Sequence, residues 1–290
     1  MRVKNTKKNV LRTGRYLLYL LLCICIVIFI RLFLCNFYRI PSDSMSPSLL
    51  PGDFILVNKW SYGARIFTGL DFGRYDPSMI RLPGTGNIKR NDVVVFNFPY
   101  RKGRDTIRMN LDRLFVKRCI GLPGDSLSIR NGYYHISGLS AHTGYLPGQE
   151  ELSLYRGGFA PAVYRTFPKD SLLNWNILDF GPLYIPCAGD ILQLTPMNYL
   201  LYKKQIMYET GSSVTMIDSM VYVDDVPLRH YIFINNWYFM AGDYALNSQD
   251  SRYIGLIPEN YIIGKASVVL SSNDPGSGKK RWKRIFKPIK

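Results

Sequence analysis

Two short segments carry residue types that could do nucleophilic chemistry. The first is Pro41-Ser42-Asp43-Ser44-Met45-Ser46-Pro47-Ser48-Leu49, with four serines in seven residues and a proline near each end. A serine-rich stretch is commonly a plain linker, but a flexible linker has no use for a backbone fixed by proline at both sides. A serine hydroxyl attacks poorly until a neighbouring base takes its proton. Histidine is the usual base, yet His135, His142 and His230 stand far apart with no motif around them. A neutral lysine can substitute. Lys117 lies in Leu114-Phe115-Val116-Lys117-Arg118-Cys119-Ile120, a strand by its β-branched and aromatic content. Strand alternation puts Phe115, Lys117 and Cys119 on one face. An amine desolvated among such neighbours loses its proton more easily and can serve as a general base. Composition alone favours the blander outcome, a lysine reaching solvent from an edge strand.

Other chemistries find less support. There is no CxxC and no His/Cys cluster, so no zinc site and no cofactor is expected. Cys23, Cys25 and Cys35 lie in the apolar N-terminal segment. Cys119 and Cys187 are compatible with one disulfide or with two free buried thiols. The net charge of +16 suggests nucleic acid, but six cations fall in residues 1–15 and seven in 279–290, which leaves +3 for everything between. A nearly neutral body with basic ends fits anionic lipid better than a phosphate backbone.

The elements that must position these groups begin with an anchor. Tyr16 to Ile30 is an unbroken apolar run of fifteen residues, and extension past Arg31 to Tyr38 makes 23. That length spans a bilayer, with Arg31 snorkelling near one end. No small-x-small cleavage pattern follows, so the span is read as uncleaved. The preceding cations place the N-terminus in the cytoplasm and the rest of the chain outside the membrane. The body, from residue 41 to 270, reads as short strands: Phe54–Trp60, Val93–Phe98, Phe115–Ile120, Tyr133–Ile136, Ile191–Leu194, Tyr231–Met240 and Ile262–Leu270. Pro51-Gly52-Asp53, Pro123-Gly124-Asp125 and Ala188-Gly189-Asp190 mark turns just before strands. Helix periodicity is scarce, so an antiparallel all-β body with a few short helices is expected. Residues 138–185, glycine-rich and interleaved with aromatics, read as an inserted subdomain or long loops. The basic tail holds Trp282, Ile285 and Phe286 between its charges, and fits either a solvated tail or a segment lying on a leaflet.

These segments, in this order, resemble the conserved boxes of type I signal peptidases. Pro41–Leu49 resembles their nucleophile box and Pro51-Gly52-Asp53-Phe54-Ile55-Leu56-Val57-Asn58-Lys59 its continuation. Asp92-Val93-Val94-Val95-Phe96 resembles the next strand, and Val116-Lys117-Arg118-Cys119-Ile120-Gly121-Leu122-Pro123-Gly124-Asp125 the box of the lysine base. Gly242-Asp243 and Asn247-Ser248-Gln249-Asp250-Ser251-Arg252-Tyr253-Ile254-Gly255 resemble the last box.

The resemblance implies a mainly β fold. Coiled antiparallel sheets would form a partly open, barrel-like catalytic body from 41–137 and 231–270. A cap-like subdomain at 138–230 would be inserted in it. A cytoplasmic basic segment (1–15) and the anchor (16–38) would precede it, and a basic tail (271–290) would follow. Ser44 would be the nucleophile and Lys117 its base. The Ser44 N–H and the Ser42 hydroxyl would hold the oxyanion. Ser248 would orient the lysine, Asp250 would pair with Arg252, and Asp243 with Arg118. Met45 would contact substrate. The implied partners are exported preproteins with small-x-small cleavage sites and the lipid bilayer, with the enzyme a monomer in a bacterial inner membrane and its catalytic body on the periplasmic side.

Two departures bear on this. Tyr244-Ala245-Leu246 stands where the family usually carries Asn-Arg-Asp, and Asp43 replaces a usual glycine or serine. The first motivates one alternative, a catalytically silent, membrane-anchored binding or assembly protein on the same scaffold, and the Asp43 carboxylate would alter the field beside Ser44.

Overall fold

The computed structural model describes residues 2–69, 77–101 and 105–290, with side chains from residue 12 onward. Its centre is one antiparallel sheet. Strands follow the spatial order Cys35–Arg39, Asp53–Asn58, Ile262–Ser272, Val93–Phe98, Asn110–Gly121, Trp237–Ala241 and Ile257–Pro258, and Lys287–Pro288 adds to Ile262–Ser272. The register shifts at irregularities in four of these pairings, and each such bulge increases local twist. The sheet therefore coils, and its two end strands stay apart, so the barrel is not closed.

Alternation explains why Val93–Phe98 is apolar at every position but Asn97, whose buried amide bonds Arg65 and the Asn110 carbonyl. Val94, Phe96 and Phe98 enter the larger core cluster, while Val93 and Val95 face a smaller one with Ile40, Met45, Leu49, Ile55 and Val57. Both faces are covered, so no position of this strand is left for a solvated side chain.

The segment expected as the anchor, 16–38, divides. Arg2–Phe29 is α-helical, Ile30–Leu34 continues as a π-helical turn, and Cys35–Arg39 is already a strand. The helix ends at Leu34, four residues before Tyr38. Pairing decided it: Cys35 lies opposite Asn58 and Arg39 opposite Phe54, and the Phe37 ring stacks on Phe54 at 5.9 Å. Residues Arg12–Leu34 form a helix of 23 residues, long and apolar enough to cross a bilayer, and none of the most apolar stretch is buried by the rest of the chain.

Each of the three Gly-Asp turns closes in the same way. The aspartates accept backbone N–H bonds from residues three back: Leu50 to Asp53 at 2.9 Å, Leu122 to Asp125 at 2.6 Å and Cys187 to Asp190 at 2.7 Å. Gly52 holds φ of 89°, which residues with a Cβ rarely adopt.

Residues 122–236 lie outside the central sheet. Ser126–Arg130 pairs with Tyr133–Ile136 and Phe180–Tyr184 in a small sheet. Helix Leu146–Leu154 packs over it, and helix Pro196–Thr210 precedes a three-stranded meander running from Val214 to Leu228. The expected strand Tyr231–Met240 is two strands, His230–Ile232 and Trp237–Ala241. Cys119 and Cys187 are both free thiols. The basic tail docks on the sheet: Arg284 pairs with buried Asp53 at 2.5 Å, and the Ile289 N–H donates to the Ser267 carbonyl at 2.9 Å.

Candidate active site

Burial shapes the serine-rich loop Pro41–Leu49. Its apolar members sink: Met45 is 1% and Leu49 0% exposed, packed on Ile40, Val93 and Val95. Its serines are left near the surface. Both ends of the loop are fastened, since the Ile40 N–H donates to the Asp53 carbonyl and the Gly52 N–H to the Ile40 carbonyl, each at 2.8 Å. Met45, expected as a substrate contact, packs into the core beneath the loop and also lines the cleft.

Lys117 sits mid-sheet, opposite Val94, and its neighbour Arg118 lies opposite Ala241. Only 3% of it is exposed. Its amine hydrogen-bonds to Ser44 Oγ, and the Phe115 ring centroid lies 5.6 Å away. Burial is the main cause lowering the amine pKa to about 8, with Arg252 adding to it. Asp250, Asp243 and Asp43 pull the other way.

The pair opens onto a cleft of about 680 Å³ whose walls include Ser42, Val95, Leu114 and Asn247. Ser42 Oγ lies 3.5 Å from Ser44 Oγ. A hydroxyl bonded to a desolvated amine, at the edge of an open cleft, can attack a carbonyl carbon.

Two ion pairs frame the dyad. Arg118 grips Asp243 through Nε at 2.7 Å and Nη2 at 2.6 Å. Arg252 grips Asp250 at 2.9 and 2.7 Å with both side chains fully buried. Burial pushes the Asp250 carboxyl up, but the Arg252 guanidinium and the Gly242 N–H outweigh it and hold its pKa below the usual value. The Gly242 N–H donates to Asp250 at 3.0 Å, so this pair anchors the backbone beside the site.

Ser248, expected to orient the lysine, lies beside Gly242. It is buried, and its Oγ has no hydrogen-bond partner. It lies against Gly242, where a Cβ would stand 2.2 Å from Ser248 Oγ and 2.4 Å from the Ser44 carbonyl. The structure thus brings Ser248 to the backbone of Ser44 without a hydrogen bond to Lys117. Only glycine fits at 242, because any side chain would drive these two segments apart.

The divergent Tyr244-Ala245-Leu246 has a packing role. Ala245 is buried against Leu152 and Ile177 of the insert, with Leu246 beside it, and the Tyr244 N–H donates to the Ser44 carbonyl at 3.2 Å. Apolar side chains here let the inserted helix Leu146–Leu154 close on the loop. Asp43 is also partnered: Asn247 Nδ2 donates to both of its carboxylate oxygens at 3.1 Å. Sequence reasoning passed over Asn247, whose only signal was its place immediately before Ser248.

The family profile described as "Signal peptidase, peptidase S26" matches residues 13–177 and 233–271. The chain is 32% identical over 249 residues to "Signal peptidase I" of Buchnera aphidicola subsp. Baizongia pistaciae, covering 83% of this chain and 71% of that one. It is 28% identical to "Signal peptidase I" of Aquifex aeolicus, over 87% of this chain and 82% of that one. A crystal structure of a signal peptidase I from Enterococcus faecalis, 21% identical, aligns with 62% of this chain and 97% of its own at a TM-score of 0.30. With both strand boxes and the cleft inside the matched residues, the chain belongs to the signal peptidase family, peptidase S26, and is a serine peptidase.

Proposed function

We propose that this chain removes N-terminal signal peptides from exported preproteins by acyl transfer through Ser44 and Lys117. One observation carries the reading: a lysine amine, buried and lowered to about pKa 8, hydrogen-bonded to a serine hydroxyl at the edge of an open cleft. In its neutral form the amine accepts the Ser44 proton as Oγ attacks the scissile carbonyl carbon. The tetrahedral oxyanion is held by the Ser44 N–H and the Ser42 hydroxyl. The protonated amine then gives its proton to the leaving amine nitrogen as the C–N bond breaks, which leaves an acyl ester on Ser44. Water attacks that ester with Lys117 again as base, and Ser44 regains its hydroxyl hydrogen. Asp250–Arg252 and Asp243–Arg118 hold the loops that frame the dyad, and Ser248 packs against the Ser44 backbone.

The helix ending at Leu34 anchors the enzyme in the bacterial inner membrane, with its basic N-terminus cytoplasmic and its body outside. Ser44 follows that helix by ten residues, so the site lies near the bilayer surface, where a signal peptide's cleavage site also emerges. The docked tail presents exposed Trp282 and Phe286 among lysines and arginines, a composition suited to anionic lipid. The enzyme acts as a monomer on small-x-small sites.

The test is cleavage of a precursor with an Ala-x-Ala site by the purified full chain in detergent. Wild type is expected to cut after the small residue and Ser44→Ala to leave the precursor intact while staying folded. A folded but inactive wild type across several precursors and pH values would favour the silent scaffold.

A further inference from the structure

At the joint between the helix and the sheet, one residue meets most of the helix's last carbonyls. A helix that stops leaves its last carbonyls without intrahelical partners. Here the Lys59 amine donates to the carbonyls of Arg31 at 2.8 Å and Leu32 at 3.2 Å. The Lys59 backbone N–H donates to the Leu34 carbonyl at 2.8 Å. One residue thus satisfies three terminal carbonyls at the point where the helix would leave the hydrocarbon, and where unmet carbonyls are costly. The short strand Arg65–Phe67 packs against the same turn.

Lys59 directly follows Asp53–Asn58, which pairs along its length with Cys35–Arg39, the strand that grows out of the helix. The nucleophile loop begins at the other end of that pair, fastened by the Ile40-to-Asp53 bond at 2.8 Å. Helix end and Ser44 are therefore separated by a paired strand, which for five residues rises about 17 Å. A flexible tether would let the site wander over a range of heights, whereas a paired strand locked at its foot does not.

We propose that Lys59 is a positioning residue that fixes the height of Ser44 over the membrane, and thereby selects which bond of a membrane-embedded signal peptide is cut. This rests on the proposed peptidase activity. The test compares wild type, Lys59→Met and Lys59→Arg as full chains in lipid vesicles on two substrates, a short soluble peptide and a membrane-inserted precursor, each with one small-x-small site. For Lys59→Met, peptide kcat/KM is expected to stay within about twofold, while precursor cleavage falls about tenfold and spreads to neighbouring bonds, since misplacement by ångströms is enough to cost such factors. Lys59→Arg, which keeps cationic donors, is expected to recover both rate and single-site cutting. Equal loss on both substrates would reduce Lys59 to a general structural role, and unchanged precursor cleavage would remove the joint from the mechanism. A wild type inactive on both substrates would instead sink the activity on which the inference rests.

Discussion

The central sheet and the residues inserted into it are built on different terms. In the sheet, strands Val93–Phe98 and Trp237–Ala241 are buried at every position, and Lys117 is set by backbone pairing opposite Val94, while Ser44 comes from the adjoining loop. The far part of the insert rests on short two- and three-stranded pieces, with Ile191, Ile217, Val226 and Ile232 all more than half exposed. None of residues 122–236 lines the cleft that holds Ser44 and Lys117. Yet the insert is not uniform. Its near part, helix Leu146–Leu154, packs on the loop that carries Asp243 and Ser248. Its far part is tied back through Glu209, whose carboxylate accepts bonds from Tyr231, Ile234, Asn235 and Trp237. The contrast divides the molecule into three tiers: the sheet carries Lys117 of the proposed dyad, the near insert packs on the loop, and the far insert supports the fold.

The sharpest test of the first tier is Lys117→Met. It is expected to lower kcat/KM by about 10⁴-fold or more, the scale seen when one member of such a unit is removed. In wild type the reactive amine must be neutral, so activity is expected to rise as pH climbs through about 8. A pH–rate profile checks both points, and a profile flat from pH 6 to 10 would mean that another group is the base.

Glu209→Ala probes the third tier. Removing a carboxylate that meets five donors leaves those donors unpaired, which costs about 3 kcal/mol of stability. Thermal and denaturant unfolding measure it. Precursor cleavage by the folded fraction is expected to change little, and a large loss there would merge the far insert with the catalytic tiers.

Gly148→Ala addresses the middle tier. A Cβ at 148 would stand 2.1 Å from the Asp243 carbonyl oxygen, so helix and loop must separate. The expected cost is about 1–3 kcal/mol in stability. Unlike Glu209→Ala, it should also slow cleavage at a temperature where the protein stays folded. Equal behaviour of the two variants would erase the distinction between near and far insert.

Asp43→Asn is the mildest change. Its carboxylate raises the Lys117 pKa, so its loss lets the amine deprotonate at lower pH. The rising limb of the pH–rate profile is expected to move toward acid by less than about one unit. A shift toward alkali would overturn the assigned direction.

Local patterns survived folding well. The Gly-Asp turns, the strand Val93–Phe98 and the strand around Lys117 are set by neighbours in sequence, and each forms as the residues suggest. Helix Pro196–Thr210 was harder to read because its buried positions include Gln205 beside Leu201, Tyr202 and Ile206, which blurs the apolar stripe. Its Thr195 cap and Gly211 stop are local signals that stand in the sequence.

What the sequence by itself determined is therefore the set of chemical groups, the apolar helix and the turns, since all are properties of residues or of near neighbours. Only the tertiary structure decided that Ser44 and Lys117 meet across 73 residues, that Lys117 is buried rather than solvated, and that Ser248 faces the Ser44 backbone. It also decided that the apolar helix stops at Leu34, with the Lys59 amine donating to the carbonyls of Arg31 and Leu32. The physical reason is common to these cases: desolvation and hydrogen-bond partnership depend on what packs alongside, and those neighbours come from strands and loops far apart in the chain.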